Sequence, residues 1–183
     1  MIYFVRHGET DYNKEGRAQG HADIPLNETG LAQAREVADK LKMVDIDVIY
    51  SSPLKRARVT ADTINKYHGV EVIEDNRLKE LNVGNRQGVV LKDCPEEMLA
   101  DFFKDPKKYG AESYEELCAR VESIYKTLEN DSRNILIVSH GGVYRAITRY
   151  ILGLDSVHSD KIHSLKNCQV VDFTAMTKER DLG

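Results

Sequence analysis

Val5-Arg6-His7-Gly8-Glu9-Thr10 closes an apolar run that starts at Ile2. A short apolar segment that stops at an arginine, a histidine and a glycine has the form of a buried strand opening into a loop. Far downstream, Ile135-Leu136-Ile137-Val138 runs straight into Ser139-His140-Gly141-Gly142. Ligands of open α/β sheets collect outside the carboxyl ends of the strands. Two strands that both end in His-Gly therefore predict two imidazoles side by side at one sheet edge.

Between and beyond these strands the pattern alternates. Leu31, Ala34, Ala38 and Leu41 recur at helical spacing behind a capping Asn27. Val48-Ile49-Tyr50 is a short buried strand, and Ser52-Pro53 predicts a helix N-cap with proline at the first helical position. Leu54, Ala57, Ala61 and Ile64 line one face of that helix, leaving Arg56 near its beginning. Residues 70–73 are another strand. Ser113-Tyr114-Glu115-Glu116 fits a capping box opening a helix with Leu117, Val121, Ile124 and Leu128 inward. A helix carrying Val143, Ile147 and Ile151 ends at Gly153, 170–173 form a last strand, and the final residues look frayed. The expected fold is a three-layer α/β/α domain over residues 1–183 with a mostly parallel central sheet.

Two stretches resist this pattern. Residues 8–26 are polar and punctuated by glycines; a loop that long in a compact domain is usually functional or disordered, and its departure from the His7 strand end favours the functional reading. Residues 84–112 hold glycines, prolines and one short helix with Met98, Leu99, Phe102 and Phe103. They form a small insertion, either a lid over the strand ends or a packed excursion.

Bulk properties narrow the class. The chain has 183 residues, 41% hydrophobic and 31% charged, which suits one soluble domain. A net charge of −4 argues against a nucleic-acid binder, though it permits a cationic cleft. Three scattered cysteines, Cys94, Cys118 and Cys168, form neither a disulfide framework nor a zinc motif. No run approaches a membrane span, so no membrane partner is expected and the cytoplasm is the expected location. The sequence does not define an oligomeric state.

A histidine at a strand end is, alone, more often structural than catalytic. Here Arg6 precedes His7, Arg56 sits at another strand–helix junction, and His140 leads into two glycines at a helix start. Guanidiniums match phosphate oxygens, and a helix N-terminus offers unpaired N–H groups to an anion. A metal site would want carboxylates or a short histidine spacing, and a cation beside Arg6 is unfavourable. A phosphoryl pocket with no metal and no cofactor is the better account.

These residues resemble the histidine phosphatases, the phosphoglycerate mutase-like superfamily. The matching motifs are Arg6-His7-Gly8-Glu9-Thr10 with Asn13, Gly16-Arg17-Ala18-Gln19-Gly20, Asp23-Ile24-Pro25-Leu26 and Gly30-Leu31-Ala32-Gln33-Ala34. They continue through Ser51-Ser52-Pro53-Leu54-Lys55-Arg56-Ala57, Leu78-Lys79-Glu80 and Ser139-His140-Gly141-Gly142, with Asn167 before the last strand. The resemblance implies that His7 becomes a phosphohistidine while Arg6, Arg56 and a protonated His140 stabilise the phosphoryl oxygens. Glu80 would serve as acid and then base, and Gly8, Asn13 and Gly141 would bind substrate. Gln19 and Gly20 would line the entrance or serve only the turn.

The chain departs from the family pattern at Tyr12, where tryptophan is common, and at Arg86-Gln87, where a Trp-Glu pair is common. Ala111 is inserted in the usual Gly-Glu-Ser. Arg86 would add positive charge at the pocket rim or, as the first reading, face solvent, and His21, His68, His158 and His163 are expected to be surface or packing residues. The first functional reading is a metal-independent phosphatase of a small phosphorylated metabolite. A phosphoglycerate mutase primed by 2,3-bisphosphoglycerate, an α-ribazole phosphatase-like role and a phospho-ligand sensor remain alternatives.

Overall fold

The structure is a computed structural model; it describes residues 1–182, and side chains as far as residue 178. Five strands, β1 (Ile2–Arg6), β2 (Val48–Ser51), β3 (Glu71–Glu74), β4 (Ile135–Ser139) and β5 (Val170–Asp172), form one sheet in the order β3-β2-β4-β1-β5. All neighbours are parallel except the β1–β5 pair, which is antiparallel. Side chains alternate between two cores, as a sheet covered on both faces requires. Ile2, Phe4, Val48, Ile135 and Ile137 face one core, while Val5, Ile49, Leu136 and Val138 face the other.

The first core is closed by α5 (Tyr114–Leu128) and α6 (Gly141–Ile151) through Leu117, Val121, Ile124, Val143 and Ile147. The second is closed by α2 (Glu28–Leu41) and α3 (Lys55–Asn65) through Val37, Ala38, Leu41, Ala57, Ala61 and Ile64. The expected three-layer α/β/α arrangement is present. Asn27 caps α2 by accepting the Gly30 N–H at 2.8 Å, and Ser113 with Glu116 forms the expected capping box.

Three local expectations fail. The helix after β2 starts at Lys55, not at Pro53, and Leu54 is its N-cap without a side-chain bond. The Ser52 hydroxyl is committed elsewhere, to the Leu54 N–H at 3.3 Å and to His140. The chain end is helical, with α7 (Phe173–Leu182) starting where the last strand was expected to continue. Phe173 is fully buried between Phe4, Tyr125 and Tyr144, which anchors that helix to the first core.

Two shorter helices complete the fold, α1 (Asp11–Glu15) after β1 and α4 (Glu96–Lys104) inside the insertion. The insertion is tied to the first long loop by backbone bonds from Ala18 to Val89, from Gly88 to Ala18 and from Leu91 to Gly16. It forms one wall of a cleft at the carboxyl ends of the strands. Among the described residues no helix is long and apolar enough to cross a membrane.

Candidate active site

Parallel pairing sets the geometry. Arg6 lies opposite Ser139 in the β1–β4 register, so His7 and His140 each follow by one residue. After β1 the chain crosses to the face of α2, and after β4 to the face of α6. The two connections diverge, which opens a crevice between neighbouring strand ends. Their imidazole centroids are 5.1 Å apart at an interplanar angle of 59°.

The hydrogen bonds fix what each ring offers. His7 Nδ1 lies 2.6 Å from the Gly8 carbonyl, which can only accept, so Nδ1 carries the proton and Nε2 keeps its lone pair. His140 Nε2 meets Ser52 Oγ at 2.8 Å. Burial pushes both imidazoles well below their ordinary range, reinforced by the charges of Arg56 and Arg6. Without a bound anion both rings are therefore neutral at pH 7, including His140, expected above in its protonated form.

The guanidiniums come next. Arg56, fully buried on α3, donates from Nη1 to the Ala22 carbonyl at 2.7 Å and from Nη2 to the Gly20 carbonyl at 2.8 Å. Burial pushes it down to about 10, still charged at neutral pH. Arg6 donates from Nη1 to the Leu165 carbonyl at 2.5 Å. Neither has a carboxylate within ion-pair distance among the described residues. Arg6 Nε, Arg56 Nε and His140 Nδ1 are all buried and bond to no protein atom. Buried polar groups normally find partners, and buried charges are normally paired. Three such groups around His7 make a socket for an anion.

Glu80 reaches the same cleft from the loop after the 3₁₀ turn Asn76–Leu78. Its carboxylate accepts the backbone N–H of Leu81 at 2.8 Å and that of Gly142 at 3.1 Å. Asn13, Gln19 and Gly20 line the cleft, whose volume is about 310 Å³. Asn13 Oδ1 accepts the Thr10 N–H at 3.2 Å, and Gln19 Oε1 accepts the Thr10 hydroxyl at 2.9 Å. Gly8 is a packing position as well, since a Cβ there would lie 2.5 Å from the Gly30 carbonyl oxygen. Gly141 opens α6 beside Arg6. Of the ten residues singled out in the sequence, Arg6, Asn13, Gln19, Gly20 and Glu80 line the cleft, while His7, Gly8, Arg56, His140 and Gly141 adjoin them through the contacts above.

Other residues were missed. Ser52 looked like a helix cap but bonds His140. His21, read as a surface or packing residue, bonds the Glu80 carbonyl through Nε2 at 2.8 Å. Of the two readings of Arg86 the structure has the rim: the half-buried side chain lines the cleft, with Nε buried. Arg120 on α5 donates to the carbonyls of Arg77, Lys79 and Glu80 and forms a forked pair with Glu112. Asn167, flagged by resemblance, donates to the His7 carbonyl at 2.9 Å. Among the described residues no group of three or more His, Cys, Asp or Glu side chains is arranged to hold a metal ion.

An α/β sheet with paired histidines and two guanidiniums that no carboxylate neutralises at its strand ends fits the phosphoryl-handling class of enzymes. The sequence profile of the histidine phosphatase superfamily (branch 1) matches residues 2–182, and the chain belongs to that superfamily. It is similar to the "uncharacterized phosphatase PhoE" of Bacillus subtilis, with 35% identity over 84% of this chain and 78% of that protein. It is also similar to the "probable phosphoglycerate mutase GpmB" of Photorhabdus laumondii, with 37% identity over 94% of this chain and 85% of that one. A histidine-to-alanine mutant of the phosphoserine phosphatase of Entamoeba histolytica, solved in complex with phosphoserine, superposes with a TM-score of 0.78 and 28% identity, covering 92% and 87% of the two chains.

Proposed function

We propose that the chain is a metal-independent phosphatase of a small phosphorylated metabolite and that it works through a phosphohistidine on His7 Nε2. The observation that carries this reading is the cluster of unpartnered Arg6 Nε, Arg56 Nε and His140 Nδ1 around an imidazole whose Nε2 lone pair is free. His7 Nε2 attacks phosphorus, and the bond to the leaving oxygen breaks with its electron pair. Arg6 and Arg56 hold the charge that spreads over the equatorial oxygens. The arriving anion favours a proton on His140, which turns its Nδ1 into a further charged donor.

Glu80 gives its proton to the leaving oxygen. It then takes one from the water that attacks the phosphohistidine, and the P–N bond electrons return to His7 Nε2. Asn13, the Gly141 N–H and the Gly8 backbone complete the binding, with Gln19 and Gly20 at the mouth. Relatives named as phosphatases support hydrolysis.

The test is incubation with para-nitrophenyl phosphate in excess chelator, with an alkaline quench and peptide mapping. Steady turnover is expected, with a phosphoryl adduct on the peptide that carries His7. Absence of both turnover and adduct across acidic to neutral pH overturns the reading. The similarity to a protein named as a phosphoglycerate mutase favours a second reading, mutase activity. Supplying 3-phosphoglycerate with a trace of 2,3-bisphosphoglycerate separates the two, since isomerisation without free phosphate means a mutase.

A further inference from the structure

The cleft carries more positive charge than one phosphoryl group accounts for. Arg6, Arg17, Arg86 and Arg145 line it, against a single carboxylate, Glu80. Arg17 is neutralised by Glu15, and Arg6 belongs to the phosphoryl socket. Arg86 and Arg145 remain, and no carboxylate lies within ion-pair distance of either among the described residues. Arg145 is partly satisfied, since its Nη1 donates to the Val157 carbonyl at 3.1 Å.

Arg86 has no such partner. Its Nε is buried without one, and its Nη1 packs against Met98 Sδ, a thioether and a weak acceptor. Its guanidinium sits 4.5 Å from the centroid of the Tyr109 ring. Stacking on an aromatic face orients a guanidinium and leaves its N–H edge available. The side chain thus packs against Tyr109 and Met98 on the part of the cleft lining that the insertion supplies, and Val83, Val89, Leu99 and Phe102 line the same cleft.

We propose that Arg86 binds a carboxylate at the end of the substrate remote from the phosphoryl group, so that the enzyme selects carboxylated phosphomonoesters with an apolar or compact body between the two anions. A single guanidinium fork matches the one charge and two oxygens of a carboxylate. This inference rests on the phosphatase reading for the first anion and adds the second. Arg86 is a specificity residue and takes no part in bond breaking.

The experiment compares matched esters that differ in the carboxylate: 4-carboxyphenyl phosphate with phenyl phosphate, and phosphoserine with phosphoethanolamine. The readout is the ratio of kcat/KM within each pair, for the wild type, R86Q and R86K. A ratio is independent of how much of each preparation is folded. In at least one pair the wild-type ratio is about tenfold or more in favour of the carboxylate, as a charge-assisted hydrogen bond supplies. R86Q brings that ratio to about one through KM, and R86K retains part of it. A wild-type ratio near one in both pairs, or an unchanged ratio in R86Q, overturns the inference while leaving the phosphatase reading intact. If no ester is hydrolysed, the phosphatase reading fails instead, and the Kd ratios of the same pairs by calorimetry judge Arg86 on the same criterion.

Discussion

The Glu80 carboxylate rests on the N-terminus of α6, accepting the Gly142 N–H at 3.1 Å through Oε1 and 3.3 Å through Oε2. The unpaired N–H groups of a helix start fix where the carboxyl group sits. Any Cβ at position 142 would fall on Glu80 Oε1, so a glycine is required there for the acid to approach. E80Q lowers kcat/KM on an alkyl phosphate by about 10²-fold or more, the usual worth of a general acid. On para-nitrophenyl phosphate the loss in kcat/KM is far smaller, because that phenolate departs without a proton. The later attack of water, which needs Glu80 as base for either ester, does not enter kcat/KM. G142A moves both rates in the same directions by displacing the carboxylate. Equal losses on the two esters would remove Glu80 from the acid role.

The two neutral imidazoles make stability depend on pH. Both are held well below 6.5 by burial and by neighbouring guanidiniums, whereas in the unfolded chain they titrate near that ordinary value. Below pH 6.5 the unfolded chain binds protons that the folded chain refuses, so stability declines as pH falls. Each histidine adds a slope of at most ~1.4 kcal/mol per pH unit. His21 and His68 are pushed the same way by burial, so the contribution of one ring is the difference between wild type and H140N. Depressed carboxylates such as Asp131, at about 2, act at lower pH and stay out of this window. Thermal unfolding at pH 7 and pH 5 checks this. The Tm drop is smaller in H140N and smaller again when inorganic phosphate is added to the wild type. A wild-type Tm that is flat over this range contradicts the neutral pair.

Gly8 offers a sharper structural test. A Cβ there would meet the Gly30 carbonyl oxygen at 2.5 Å, and one at Gly30 would fall on the Glu9 carbonyl, so two backbones touch where the first loop crosses the start of α2. Neither contact involves a flexible side chain that can move aside. G8A is expected to cost about 1–3 kcal/mol of stability, as overpacking does. It also shifts the carbonyl that fixes the His7 tautomer, so kcat falls in the fraction that folds. The urea midpoint and kcat per folded molecule measure the two effects separately.

Much of this architecture is legible in the chain because it follows from local pattern. The β1 and β4 segments are apolar runs that stop at His-Gly, and parallel pairing then dictates that His7 and His140 adjoin. Helices with a periodic face and a cap, such as α2 and α5, declare themselves in the same way. The residues that escaped share a different property: their partners are set by tertiary contacts. Ser52 precedes a proline and has the form of a cap, yet its hydroxyl is drawn to a histidine 88 positions away. Arg86 and His21 sit in aperiodic loops, where spacing carries no information about which way a side chain turns. The helical chain end was missed because its anchor, Phe173, looked like the last residue of a strand.

Arg120 shows how a residue remote from the chemistry holds it in place. Its Nη1 donates to the carbonyls of Arg77 and Lys79, each at 2.7 Å, and its Nη2 to that of Glu80 at 2.9 Å. Nε and Nη2 also make a two-point pair with Glu112, which in turn accepts the Asn82 N–H at 2.8 Å. The guanidinium thus spans α5, the loop that carries Glu80 and the chain leaving the insertion. Removing it leaves carbonyls and a half-buried carboxylate unsatisfied, at a cost of about 2–4 kcal/mol. R120A is therefore expected to lower the urea midpoint and also kcat/KM on alkyl phosphates, with less effect on kcat/KM for para-nitrophenyl phosphate, because the displaced group is the acid of the first step. R120K restores little, since a single ammonium cannot reproduce the planar fork. If R120A loses stability while the ratio of the two ester rates stays at the wild-type value, Arg120 supports the fold alone and does not position Glu80.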